Sequence, residues 1–205
     1  LNTQHLNLSA AILAGIYTGK ITNWNSPAIQ AANPGVKLPN HAIIPVRRSD
    51  SSGDSFLFTQ YLTKSAPSQW TQGYATAPNW PAVPAEVSAV GNGGMVQFLK
   101  NNPYAIAYVG ISYLNQREAD GLGYGALENR AGHYVLPTQH NIVAAAAALV
   151  PPTPPHERVS LVDAARAAPY PPIKYPYAIV QGQQPKTPNR TTLNGFSSLG
   201  TFPPT

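Results

Sequence analysis

The sequence predicts an α/β layered domain. Short apolar runs bounded by Pro and Gly alternate with amphipathic helical patterns, and the alternation shows no internal repeat. Several apolar runs lead directly into Gly- and hydroxyl-rich turns that open a helix, the junction expected in βα units. At 205 residues and 43% apolar content, the chain is long enough to bury a sizeable core.

Taken in order, residues 9–18 read as a helix. Ser9 can cap it, Ile12, Leu13, Ile16 and Tyr17 share a face, and Gly19 can end it. Ser26-Pro27 opens a second, short helix that Asn33-Pro34-Gly35 stops. Residues 42–46 read as a strand, and 54–64 as a helix with Leu57, Phe58, Tyr61 and Leu62 on one face. Residues 65–90, with four prolines and two tryptophans, read as irregular. Gly91-Asn92-Gly93-Gly94 reads as a plain turn, or alternatively a second backbone nest, before a short helix carrying Met95, Val96, Phe98 and Leu99. Tyr104 to Val109 read as a buried strand and 110–117 as another short helix. Short strands are expected near 124–128 and 132–136, then a helix over 138–149 with Thr138 as cap. Pro151 to Pro155 form a rigid connector, after which 158–163 and 173–180 read as strands. Residues 1–182 form the expected lobe, and 183–205 a polar, Pro-rich tail.

The most informative stretch is Arg47-Arg48-Ser-Asp-Ser-Ser-Gly-Asp-Ser-Phe-Leu-Phe58. A strand runs into Arg48, a turn follows, and a helix begins. The first N–H groups of a helix lack internal acceptors and carry the positive end of its dipole. Gly53 lets an anion approach the backbone, Ser52 and Ser55 offer hydroxyls, and Arg48 offers a planar fork of donors. That combination suits a tetrahedral oxyanion. The simpler alternative makes Asp50 or Ser52 a plain helix cap and Arg48 a solvated charge. Other motifs fail on spacing. Gly15 to Ile21 has one residue too few between its glycines for a P-loop, and Ile follows the Lys.

Composition narrows the function further. Charged residues make up only 10%, and few carboxylates means few groups that acid must protonate. The formal charge of +5 is scattered, with no basic stripe interleaved with aromatics, which argues against nucleic acid and for an anionic ligand or surface. With no cysteine there are no disulfides, thiolate nucleophiles or cysteine-held metals. The five histidines lack metal-ligand spacing, no cofactor is expected, and no nucleophile–base–orienting set points to catalysis. No apolar run reaches the length of a membrane span. The chain opens at Leu1 without an initiator Met, as a processed or excised product would.

The 48–55 segment and its neighbours resemble the phosphate-binding protein of the Pst-type ABC transporter, a periplasmic-binding-protein family. The family pattern runs Arg-Ser-Asp-Gly-Ser-Gly-Thr/Asp-Thr, and Ser51 stands here where a Gly is usual. Further matches follow in the family's order: Ala14 to Asn25, Asn33 to Pro39, Gly91 to Val96, Ala105 to Val109 and Tyr175 to Val180. The resemblance spans roughly residues 6 to 182. It implies a type II-like lobe, a layered mixed sheet with flanking helices, incomplete relative to the two-lobe family fold. It also implies a periplasmic or extracellular setting and inorganic phosphate as ligand. The phosphate half-site falls on Arg48, Ser52, Gly53 and Asp54. Arg48 would neutralise charge, Ser52 and the Gly53 and Asp54 amides would donate, and Asp54 would accept the ligand's own proton. An Asp in that place favours protonated phosphate over sulfate.

The family's other lobe, which contacts phosphate from the opposite side, has no counterpart in this sequence. The partners expected are therefore phosphate, bound weakly by this chain alone, and a missing lobe or other protein subunits. An alternative reading follows from the same departure: a non-catalytic scaffold or accessory subunit of a larger periplasmic membrane-associated complex, such as a respiratory dehydrogenase. On that reading the 173–180 edge and the 183–205 tail are covered by another polypeptide.

Overall fold

The computed structural model describes residues 5–113, 121–147 and 171. The chain divides into two units, Leu1–Tyr175 and Pro176–Thr205, and all described residues lie in the first. The expected strands at 158–163 and 173–180, and the tail, fall outside the described residues.

The elements are β1 (Asn7–Leu8), α1 (Ala10–Tyr17), α2 (Pro27–Ala32), β2 (Ile44–Arg48), α3 (Gly53–Ser65), β3 (Val87–Ala89), α4 (Gly91–Asn101), β4 (Ala105–Ala107), a 3-10 turn at Ile111–Tyr113, β5 (Ala126–Glu128), β6 (Tyr134–Val135) and α5 (Gln139–Ala147). They build two three-stranded sheets. One has the order β3-β2-β4 and is wholly parallel, with Val46 opposite Val87 and Ile44 opposite Ala105. The other has the order β1-β5-β6, with β1 parallel and β6 antiparallel to β5.

The central strand lies two residues later than the apolar run suggested, at 44–48 instead of 42–46. It even contains Pro45, which cannot donate to a ladder. In a parallel strand, successive residues turn their N–H groups to opposite sides. Ile44 donates to the Tyr104 carbonyl on the β4 side (3.3 Å), so Pro45 faces the β3 side. There β3 begins only opposite Val46, and no donor is needed. The strand β3 itself lies inside the stretch expected to be irregular. Its three residues, Val-Ser-Ala, are too short for a period to show. β1, with two residues, is missed for the same reason. β4 proves half-buried along its length, not buried. Of the helix expected at 110–117, the described part is only the 3-10 turn.

The core sits where α1 and α3 pack together. Ser9 Oγ accepts the Ile12 N–H (3.2 Å), fixing the start of α1, and every residue of that helix except Ala11 is buried. Gly15 lets Ile21 pack close on the helix, since a Cβ there would lie 2.7 Å from the end of the Ile21 side chain and force it to shift. Tyr17 is 1% exposed, and its hydroxyl donates to the Val46 carbonyl (3.0 Å), tying α1 to the central strand. Its ring meets Phe58 edge-on, and Phe58 stacks on Tyr108 at 4.5 Å between centroids. Each such buried aromatic contributes on the order of 2 kcal/mol from apolar area alone. This cluster lies directly beneath the loop that follows β2.

Candidate functional site

In a parallel sheet the loops leaving the strands gather at one edge, and helices that follow them point their N-termini there. At the carboxyl edge of β3-β2-β4, three loops meet. Arg48 to Asp54 leave β2, Val90 to Asn92 leave β3, and Tyr108 to Gly110 leave β4. Two helix N-termini, those of α3 and α4, open at this edge.

Arg48 is the pivot. Its side chain is only 10% exposed, so it is not a solvated surface charge. Nε donates to Asp50 Oδ1 (2.7 Å), and Nη2 pairs with Asp50 Oδ2. Nη1 donates to Asn92 Oδ1 (3.1 Å) and lies 3.7 Å from Asp54 Oδ2. These bonds use three of the five guanidinium N–H groups and leave one on each terminal nitrogen to donate to an anion. Hydrogen bonding to Asp50 raises the Arg48 pKa further. In return, Arg48 holds the Asp50 carboxyl well below the ordinary carboxylate range, helped by the Gly91 N–H, which donates to Asp50 Oδ1 (3.0 Å).

Ser52 is the N-cap of α3, as the simpler sequence reading had it. Its Oγ accepts from the Asp54 N–H (3.0 Å) and the Ser55 N–H (3.4 Å), and its own N–H donates to the Thr76 carbonyl (2.8 Å). With its lone pairs so engaged, the hydroxyl hydrogen is what Ser52 can still offer. The Asp54 amide is therefore turned onto Ser52. Gly53, exposed at the first helical position, has an N–H with no intrahelical acceptor. Asp54 lies in the first turn of α3, where the helix dipole favours its charge. Asp54 Oδ2 accepts from Asn92 Nδ2 (2.9 Å).

The structure thus brings Arg48 and Asp54 to one space at the head of α3, beside Ser52 and Gly53. Ser55 is different. It is fully buried, and its Oγ is 2.8 Å from the Tyr108 hydroxyl, so it braces the loop from below instead of facing a ligand. Tyr108 also accepts the Arg48 backbone N–H (3.0 Å), and burial pushes its hydroxyl pKa up. Sequence reasoning did not reach Tyr108 as part of the site, the side-chain role of Asn92, or Asp50 as the partner of Arg48. The Gly91-Asn92-Gly93-Gly94 stretch carries a usable signal in the sequence, expected there as a turn or a second backbone nest ahead of the helix. Those residues are the first turn of α4. At Gly110 the missing side chain matters: a Cβ would lie 3.0 Å from Asn92 Nδ2 and 3.4 Å from Asp54 Oδ2.

A separate concavity of about 610 Å³ is lined by Tyr61, Lys64, Glu128, Asn129 and Arg130, among others. It is broad and open, and its lining draws on the C-terminal end of α3 and the first residue of α1, Ala10, so no one helix dipole sets its charge. The geometry at the carboxyl edge is the better candidate, because its donors converge and are held by partners.

Comparison with known proteins agrees with this architecture. A PBP superfamily domain matches residues 2–199. Phosphate-binding protein PstS of Pasteurella multocida is 40% identical over 149 residues, which is 72% of this chain and 41% of that protein. Phosphate-binding protein PstS of Methanocaldococcus jannaschii is 37% identical over 155 residues, 73% of this chain and 39% of that protein. The chain therefore spans well under half the length of these relatives. Among solved structures, a high affinity periplasmic phosphate-binding protein bound with phosphate is similar in fold. Its TM-score is 0.58 at 22% identity, covering 85% of this chain and 50% of that one. With nearly its whole length matched by the domain and its sheet built as an α/β lobe, the chain belongs to the PBP superfamily.

Proposed function

We propose that this chain is an extracytoplasmic phosphate-binding lobe of a solute-binding protein serving an ABC transporter, with its half-site on Arg48, Ser52, Gly53 and Asp54. The observation that carries the reading is the state of Arg48. It is nearly enclosed at the carboxyl edge of a parallel sheet, locked by Asp50 and Asn92, with one donor left on each terminal nitrogen. The PstS relatives, described as phosphate-binding, supply the ligand class.

The charges choose among anions. Asp50 already balances Arg48, so Asp54 brings an extra negative charge to the site. A fully deprotonated anion is repelled there. A phosphate that still carries a proton donates that O–H to Asp54 and turns repulsion into a charge-assisted hydrogen bond. Sulfate at neutral pH has no proton to give. Arg48, the Ser52 hydroxyl and the Gly53 amide then serve the remaining oxygens. The role is binding, not turnover. One lobe leaves the ligand half hydrated, so full affinity requires a second surface, supplied by another lobe or subunit.

Calorimetry of this chain with inorganic phosphate and with sulfate tests the reading. The expected result is phosphate binding with a dissociation constant of the order of 1 mM, and weaker sulfate binding. Absence of phosphate binding at tens of millimolar overturns the proposal, and so does sulfate binding as well as phosphate. Micromolar or tighter phosphate binding by the chain alone overturns the half-site argument.

A further inference from the structure

Asn92 occupies a position that the phosphate half-site does not explain. It lies in the first turn of α4, yet its side chain reaches across the sheet edge to the loop after β2. Its amide carbonyl accepts from Arg48 Nη1 (3.1 Å), and its amide nitrogen donates to Asp54 Oδ2 (2.9 Å). The orientation is forced. A guanidinium can only donate and an ionised carboxylate can only accept, so the Asn92 oxygen must face Arg48 and its nitrogen must face Asp54. Between them, Arg48 Nη1 and Asp54 Oδ2 stand 3.7 Å apart, inside ion-pair range but beyond a hydrogen bond. Gly110 leaves room for this bridge, since a side chain there would press on both Asn92 and Asp54.

We propose that Asn92 is a positioning residue of the oxyanion site: it holds Arg48 and Asp54 each by one amide atom and so prevents them from closing into a direct hydrogen bond. The inference rests on reading the loop as an anion site. Its physical content is a competition. An Arg and an Asp this close gain a charge-assisted bond by closing on each other. Closure would let the two charges neutralise each other, drawing the guanidinium toward Asp54 and weakening both its pull on the anion and the carboxylate's pull on the ligand proton. A neutral side chain with one acceptor and one donor, set between them, satisfies both without neutralising either. Neither Asp nor Lys can do this, because each lacks one of the two functions. Glycine at 91, 93 and 94 leaves the first turn of α4 otherwise bare, so Asn92 has this space to itself.

The test is the Asn92→Ala variant of the same chain, read in two ways. Alanine is a good helix former, so the first turn of α4 should persist and the thermal midpoint should stay close to the parent's. A ligand-free crystal structure should show Arg48 Nη1 and Asp54 Oδ2 closed to hydrogen-bond distance. If they remain apart, Asn92 is not the spacer and the inference is overturned, whatever the chain binds. By phosphorus-31 NMR, phosphate affinity should fall about tenfold, and the preference for phosphate over sulfate should narrow. Unchanged affinity and preference would also overturn it. Failure of the parent chain to bind phosphate refutes the proposed function but leaves the ligand-free arm to decide the role of Asn92.

Discussion

Helices α3 and α4 both follow a parallel strand and both open at the same sheet edge, yet their N-termini are finished in different ways. α3 is capped by its own Ser52, whose oxygen takes two of the orphan amides. α4 has Val90 at the cap position, 72% exposed and with nothing to offer. Its first amide, Gly91, is satisfied instead by Asp50 from the neighbouring loop. One terminus carries its own cap, and the other borrows a carboxylate. The borrowed carboxylate also grips Arg48, so the α4 terminus helps hold the cation in place, while the α3 terminus leaves the amide of exposed Gly53 without an intrahelical acceptor. Similar local geometry thus serves support on one side and reception on the other.

Removing the shared cation breaks the comparison most severely. Arg48→Met should abolish phosphate binding, a loss of at least about a hundredfold, because the fork goes and two carboxylates remain. It should also cost roughly 1–3 kcal/mol of stability, since those carboxylates lose their partner. Chemical denaturation together with a phosphate titration checks both.

Next comes the borrowed cap. Asp50→Asn should lower the thermal midpoint and change the acid limb of stability. The folded Asp50 pKa is depressed, so its contribution is fully present above the ordinary carboxylate value of about 3.9. It is lost as pH falls below that value toward the folded one. The parent should therefore destabilise more steeply than the variant below about pH 4. Parallel acid limbs in thermal melts would mean that Asp50 does not hold Arg48 in solution.

The smallest effects lie in the caps alone. Ser52→Ala should cost about 1 kcal/mol from the lost cap and weaken phosphate binding as well. Val90→Ser gives α4 a cap of its own in backbone already extended there (φ −85, ψ 128). It should stabilise by about 0.5–1 kcal/mol and leave phosphate binding unchanged. Urea denaturation with a matched titration separates the two helices. If Val90→Ser alters binding and Ser52→Ala does not, the division of labour is reversed.

Much of this arrangement could be read from the residues. The helices were legible because Ser9, Ser26-Pro27 and Ser52-Gly53 mark their starts and apolar periodicity follows. The anion loop was legible because strand, hydroxyl-rich turn and helix stand next to one another in sequence. β1 and β3 were not, since two or three residues carry no period and their pairing is decided by distant partners. The support behind the loop was equally hidden. Asn92 lies 44 residues from Arg48, and Tyr108 lies 60 away, so only the parallel pairing of β2 with β3 and β4 brings them together. Ser55 misled for a local reason. Its place on α3 turns it inward to Tyr108, which a list of hydroxyls near a glycine cannot reveal.

The most direct test of the oxyanion edge is an amide-resolved NMR titration of this chain with inorganic phosphate, repeated with sulfate. The account predicts that the largest phosphate-induced shifts fall on Ser52 to Asp54 and on Gly91 and Asn92, with sulfate producing smaller ones at the same residues. Largest shifts around Lys64 and Arg130, or equal responses to the two anions at the sheet edge, would contradict it.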